Sequence, residues 1–252
     1  MRIDAVSIFP DMFSAVADNG ITGRARKRGL WQFHAWNPRD FTDDPYRRID
    51  DRPYGGGPGM VMLGEPLQRA LAAIIDARDR ESCVSGPVIC LSPHGEPLKQ
   101  GALAEMVQLP SITLIAGRYE GIDARFVDRF VDREVSIGDY VLSGGELPAM
   151  VLMDAIVRLL PGAMNDPDSS ITESFSAGLL DWPHFTRPET YLGESVPPVL
   201  MSGNHAQIDR WRRHQALMIT ARRRPDLIAD ARRRGLLSVD DERFLADSAG
   251  NG

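Results

Sequence analysis

The stretch Ser136-Ile-Gly-Asp-Tyr-Val-Leu-Ser-Gly-Gly-Glu-Leu-Pro-Ala-Met150 runs a glycine-bearing turn directly into a long apolar segment. Ser143 and Glu146 have the S-x-x-E spacing of a capping box. That spacing predicts a helix start, with Pro148 early enough to be tolerated. Gly144 and Gly145 bare the backbone just ahead of it. Bare N–H and C=O groups let a ligand approach the main chain closely, and the helix N-terminus adds a positive dipole end. A plain strand-to-helix turn would use the same residues, so this segment alone does not decide.

Two further segments bear on it. Val88-Ile-Cys-Leu91 is a short apolar run broken by Ser92-Pro-His-Gly95, and Ile112-Thr-Leu-Ile-Ala116 is followed by Gly117-Arg-Tyr-Glu-Gly-Ile-Asp123. Both read as buried parallel strands that end in backbone-rich loops. Ligands of open α/β sheets bind beyond the carboxyl ends of strands, so the three loops are expected to share one pocket.

The elements that must position these loops alternate strand and helix. Residues 65–78 repeat apolar positions at Leu67, Ala70, Leu71, Ile74 and Ile75, the spacing of a helix with one buried face. Further helices are expected over 98–109 and 122–131, giving an α/β fold with a mainly parallel sheet. Leu30 to Trp36 alternates like a strand, and Trp31 and Trp36 suit packing better than RNA contact. The helix over 146–160 is apolar nearly all round, which predicts burial on all sides and a second copy of the chain as the cover. Residues 165–174 are polar and aperiodic, a linker or loop. Beyond it, Ser202-Gly-Asn204 offers an N-cap to a helix over 205–224, and Pro225 separates a second basic helix over 226–235.

With 252 residues and 43% hydrophobic content the chain can form a large domain plus a small one. Cys83 and Cys90 suggest neither a disulfide framework nor a zinc site, and a reducing cytoplasm fits. The first residues alternate like a strand, and no run reaches membrane-spanning length, so neither export nor anchoring is expected. Net charge is −6, yet residues 205–234 hold nine arginines against Asp209, Asp226 and Asp230. A local basic face on an acidic protein can hold a phosphate backbone in one place. No G-x-G-x-x-G follows a strand and no P-loop occurs, which argues against nicotinamide and nucleoside triphosphate chemistry.

Together, the three loops, Asp51-Arg-Pro-Tyr-Gly-Gly-Gly-Pro-Gly-Met60, Ile8-Phe-Pro-Asp-Met-Phe13, Gly178-Leu-Leu-Asp-Trp-Pro-His-Phe-Thr-Arg-Pro188 and Pro197-Pro-Val-Leu-Met-Ser-Gly-Asn-His205 resemble the bacterial tRNA (guanine-N1)-methyltransferase family, TrmD. The resemblance implies a SPOUT methyltransferase domain with a deep trefoil knot over 1–163, a linker over 164–177 and a small C-terminal helical tRNA-binding domain over 178–252. It implies an obligate homodimer with its active site at the subunit interface, S-adenosylmethionine as donor, and N1 of guanine 37, just 3′ of the anticodon, as acceptor. Whether Mg²⁺ assists is left open.

N1 of guanine carries a proton at neutral pH, so its methylation needs a base, and a cation near O6 would stabilise the developing charge. The resemblance assigns the cation to Arg158. It places Glu173 where the family has an aspartate base. The extra methylene displaces the carboxylate by roughly an ångström, a shift that can cost about a hundredfold in rate. Asp181 also resembles a functional carboxylate and could share the role. For the donor the resemblance assigns Leu91, Ser92, Pro93 and Gly95, then Gly117, Tyr119 and Glu120, then Ser136, Ile137, Gly138, Tyr140, Leu142, Gly144, Gly145 and Pro148. Tyr54, Gly55, Gly57 and Gly59 would border the target guanine, and His184, Arg187, Arg212, Arg213 and Arg222 would meet RNA. With no second histidine nearby, His184 does not read as a metal ligand. Two other readings stay open: a SPOUT-type RNA-binding protein with impaired catalysis, and a relative that methylates another RNA position.

Overall fold

A computed structural model describes residues 1–164 and 173–249. The chain divides into two compact units, Met1–Asn165 and Asp166–Gly252. In the first, chain order is β1 (Arg2–Val6), α1 (Ser14–Ala17), α2 (Gly20–Lys27), β2 (Gln32–Trp36), β3 (Asp50–Asp51), β4 (Val61–Met62), α3 (Gly64–Arg80), β5 (Val88–Pro97), α4 (Gln100–Met106), β6 (Ser111–Ala116), α5 (Ala124–Phe130), β7 (Arg133–Ser136) and α6 (Glu146–Val157). Five strands form one sheet in the order β2-β1-β6-β5-β7, parallel throughout. Every carboxyl end therefore lies along the same edge.

Alternation along the strands builds two cores. Ile3, Ala5, Ile89, Leu91, Ile112 and Leu114 face one side, where residues of α1, α2, α4 and α6 pack on them. Val6, Cys90 and Ile115 face the other, against Leu67, Ala70, Leu71 and Ile74 of α3 and Phe126 of α5. The second face carries one charge cluster. Asp4 is wholly buried and accepts from Arg2, from Arg78 of α3 at 2.9 Å and from the Trp36 indole at 2.9 Å. Trp31 is buried as well, its indole donating to Thr22 O at 2.9 Å, so both tryptophans pack as their strand pattern predicts.

Two details differ from the sequence reading. β5 does not stop at Leu91: Val135 of β7 pairs first with Leu91 and again with Glu96, so residues 92–95 leave the ladder and the strand resumes. α6 ends at Val157, with Arg158 as its C-cap; Leu159 and Leu160 continue as turns whose N–H groups reach Ile156 and Val157. On the α6 face that the sequence reading assigns to a second copy, Leu147 and Val151 are each 48% exposed in the single chain.

The second unit contains a two-stranded hairpin, β8 (Thr190–Tyr191) with β9 (Glu194–Ser195), then α7 (Pro198–Met201), α8 (His205–Arg223), α9 (Pro225–Arg233) and α10 (Val239–Ala249). Asn204 caps α8 through its side chain, accepting from Gln207 N as expected. Leu179, Ala216, Leu217, Ile228 and Ala231 form the core, with Leu237, Phe244 and Leu245 of the α10 region packed on it. The hairpin and α10 were not anticipated. α10 had a signal: Ser238 and Asp241 exchange backbone-to-side-chain bonds at 2.8 and 3.1 Å, a reciprocal capping box. Most of the polar stretch over 165–174 lies outside the described residues.

Candidate active site

The three loops expected to form a pocket meet at the carboxyl edge of the sheet. Gly145 N–H donates to Gly117 O at 2.8 Å, tying the third loop to the second. Leu98 N–H donates to Ser136 O at 2.8 Å, tying the first to the third. Contact is so close that side chains are excluded. A Cβ on Gly95 would lie 2.3 Å from Val135 N, and one on Gly145 would lie 2.7 Å from Ala116 Cα. Gly138 has φ +147 and passes so near Tyr140 that a Cβ would meet the ring at 2.5 Å. Ser136 Oγ bonds both N and O of Gly138, and Tyr140 donates to Ile137 O at 3.3 Å. The loop is thus fixed on its own backbone, with Tyr140, Val141 and Leu142 facing outward.

The capping box expected at Ser143 and Glu146 does not form. Gly145 is the N-cap and makes no side-chain cap bond. The Glu146 carboxylate instead crosses between loops, accepting from Ser7 Oγ at 2.7 Å and from Arg118 Nε at 2.8 Å. Local spacing could not reveal partners so distant in sequence. Gly144 is where it is because Arg118 needs the space: a Cβ there would sit 2.2 Å from Arg118 Nε. Arg118 also donates to Ser143 O at 3.2 Å, and its guanidinium lies 4.6 Å from the Phe9 ring centroid.

The glycine loop between β3 and β4 joins the same edge. Glu120 N–H donates to Met60 O, and Met62 N–H donates to Gly121 O, each at 2.9 Å. Gly55, Gly56, Gly57 and Gly59 all have positive φ, and Tyr54 stands fully exposed among them. At Gly59 a Cβ would collide with the Glu120 side chain, so the expected guanine-bordering loop touches the expected donor loop. Tyr119 adopts φ +62 and accepts at long range from Arg39, 3.5 Å away. Burial, and then Asp50 beside it, push its phenol above the usual range against the pull of Arg39. Sequence reading missed Ser7, Arg39, Asp50, Arg118 and Glu146 as neighbours of this site.

In the second unit, Glu173 opens the described segment, its carbonyl accepting from Ser176 N–H. Asp181 N–H donates to Ser174 Oγ at 2.9 Å, and the Asp181 carboxylate holds His184 Nε2 at 2.8 Å. Arg187 is exposed in the approach to β8. Arg222 lines a cleft with Arg223, Asp181, Trp182, Met218 and Ile219. Arg213 is otherwise engaged, bonding both oxygens of Asp241 at 3.0 and 2.9 Å. No group of three or more His, Cys, Asp or Glu side chains gathers among the described residues, and none of the described helices is long and apolar enough to cross a membrane.

The family described as tRNA (Guanine-1)-methyltransferase TrmD matches residues 1–230. A Ralstonia nicotianae protein named tRNA (guanine-N(1)-)-methyltransferase is 56% identical over 249 residues, covering 99% of this chain and 94% of its own. Its namesake from Bordetella pertussis is 56% identical over 253 residues, covering 99% and 98%. One from Burkholderia mallei is 55% identical over 249 residues, covering 99% and 94%.

Proposed function

This chain belongs to the tRNA (guanine-1)-methyltransferase TrmD family, and from that premise we propose that it transfers a methyl group from S-adenosylmethionine to N1 of guanine 37 in tRNA. The observation that carries the reading is the convergence of three glycine-bearing loops at one sheet edge.

The residues there suit the donor in kind. In this reading main-chain groups, the apolar Ile137, Tyr140 and Leu142 and the Glu120 carboxylate line the donor site. The guanidinium within these loops, Arg118, is held by Glu146 and so is not offered to a positively charged ligand. When bound, S-adenosylmethionine supplies a methyl group already activated on a sulfonium. The protein's part is then to orient, to exclude water and to move one proton. Leu91, Ser92, Pro93, Gly95, Gly117, Tyr119, Glu120, Ser136, Gly138, Gly144, Gly145 and Pro148 complete the donor site in this reading. Glu173 accepts the guanine N1 proton and Arg158 stabilises charge at O6, with Asp181 as the alternative base. Tyr54, Gly55, Gly57 and Gly59 border the guanine, while His184, Arg187, Arg212 and Arg222 meet the anticodon stem-loop; Arg213, expected there too, is committed to Asp241.

The finer architecture belongs to the same proposal. In this reading the domain over 1–163 is a knotted SPOUT methyltransferase domain, as the family implies. A linker over 164–177 and a helical tRNA-binding domain over 178–252 follow. The exposed apolar Leu147, Val151, Val141 and Leu142 support a homodimer whose active site lies at the interface. A cytoplasmic setting follows from the substrate.

The test is methyl transfer to an anticodon stem-loop carrying guanine or inosine at the target, followed by nucleoside mass analysis. N1-methylguanosine that disappears in Glu173→Gln and Arg158→Ala supports the assignment. Activity that survives Glu173→Gln moves the base to Asp181, and no product from the unaltered protein leaves binding without catalysis.

A further inference from the structure

The Glu146 carboxylate is wholly buried, yet it spends both oxygens on groups from other loops. Oε1 holds Ser7, which follows β1, and Ser7 Oγ in turn accepts from Phe9 N–H at 2.9 Å. Oε2 holds Arg118, which follows β6 and lies over the Phe9 ring. Glu146 itself heads α6, directly after the loop that leaves β7. One side chain therefore joins three strand ends. Stability alone does not call for this arrangement, since a buried ion pair is often replaceable by apolar residues at no loss.

We infer that Glu146 is a positioning and charge-screening residue for the methyl donor: it clasps the loops after β1, β6 and β7 and cancels the charge of Arg118 beside the donor site. The inference rests on the function proposed above. Its electrostatic half has a chemical signature. S-adenosylmethionine carries a sulfonium, whereas its demethylated product, S-adenosylhomocysteine, is a neutral thioether at the same atom. An uncompensated guanidinium within a Debye length disfavours the first and not the second. A role confined to holding shape would weaken both alike.

Calorimetric dissociation constants for both ligands, on the full-length protein, test it. In Glu146→Gln, S-adenosylmethionine is expected to weaken on the order of tenfold more than S-adenosylhomocysteine, the effect of one unscreened charge at an effective dielectric of about 20. Arg118→Gln has the opposite sign, shifting preference toward S-adenosylmethionine, and it carries the test if Glu146→Gln does not fold. The double variant, neutral at both positions, should restore the original ratio. Equal weakening of both ligands, or an unchanged ratio in every variant that folds, overturns the inference. If the unaltered protein neither binds S-adenosylmethionine nor forms N1-methylguanosine, the proposed function fails instead.

Discussion

The guanidinium carbon of Arg212 lies 5.1 Å from the centroid of the Trp182 ring, a stacked pair on the wall of the second unit. It belongs to a sorting of the basic segment that its net charge conceals. Arg213 serves Asp241, Arg224 serves Asp226, Arg232 serves Glu242, and Arg233 and Arg234 share Asp230. Arg222 and Arg223 have no acidic partner among the described residues, and both line the cleft beside Trp182.

Phosphate contact should therefore be concentrated at Arg222 and Arg223. Replacing either by alanine is expected to lower the slope of log K against log salt for stem-loop binding by about 0.7 to 0.9. Arg232→Ala and Arg233→Ala should leave the slope unchanged. Equal slopes for all four variants would refute the sorting.

Acid should loosen the second unit. Asp241 is opposed by its burial, yet Arg213 and the Ser238 bonds hold its carboxyl below the ordinary 3.8. A carboxyl depressed in the folded state adds stability that is present above its unfolded value and lost as pH falls through the folded one. Asp241→Asn should cost about 1–3 kcal/mol at neutral pH, and that penalty should begin to shrink near pH 3.8 and vanish only as pH falls through the lower folded value, read by denaturant unfolding across pH.

The two thiols should separate. Burial, with some help from Glu134, pushes Cys90 up to about 12 from 9.0, while Cys83 is partly exposed. A disulfide reagent at pH 8 should titrate one thiol in the folded protein and two after denaturation. Because a raised folded value favours the protonated folded form, stability should decline as pH climbs from about 9 toward 12.

Glycine tolerance should follow space. Gly145→Ala puts a Cβ against the backbone of Ala116 and Gly117 and should cost about 1–3 kcal/mol. Gly101→Ala, in α4 with nothing within 4 Å, should be neutral or stabilising by up to about 1 kcal/mol. Equal destabilisation by the two changes would contradict the packing described for the loops.

A charge on the open face of α6 should separate the proposed subunits. Leu147→Glu or Val151→Glu is expected to convert a dimer into monomers by light scattering, with the circular dichroism of the fold retained. A dimer that survives both changes would move the interface elsewhere.

The parts of this fold visible in sequence are those governed by neighbours along the chain. Continuous apolar runs such as Ile112 to Ala116 and the periodic face of α3 landed where expected, because burial acts on each element separately. The Ser143 and Glu146 spacing misled because a partner 28 residues upstream, Arg118, competes for the carboxylate and wins. At Ser238 and Asp241 the same motif does close, and there it marks a helix the sequence reading passed over. The arginine segment showed its total charge but not its sorting, since Asp241 and Glu242 stand beyond its end. Of the proposed donor site, the loops were legible through their glycines; the Glu146 contacts across them were not.

Asp4 gives β1 a second property. Its neighbours along β1, Ile3 and Ala5, point into an apolar core, while its own partners Arg78 and Trp36 stand on the opposite face. A one-residue slip of β1 against β2 or β6 would turn the carboxylate into hydrocarbon and strand Arg78 without its counter-ion. Misaligned sheets are thereby made costly, and because Ser7 follows three residues later, the register that Asp4 enforces also decides where the first anchor of the clasp comes to rest.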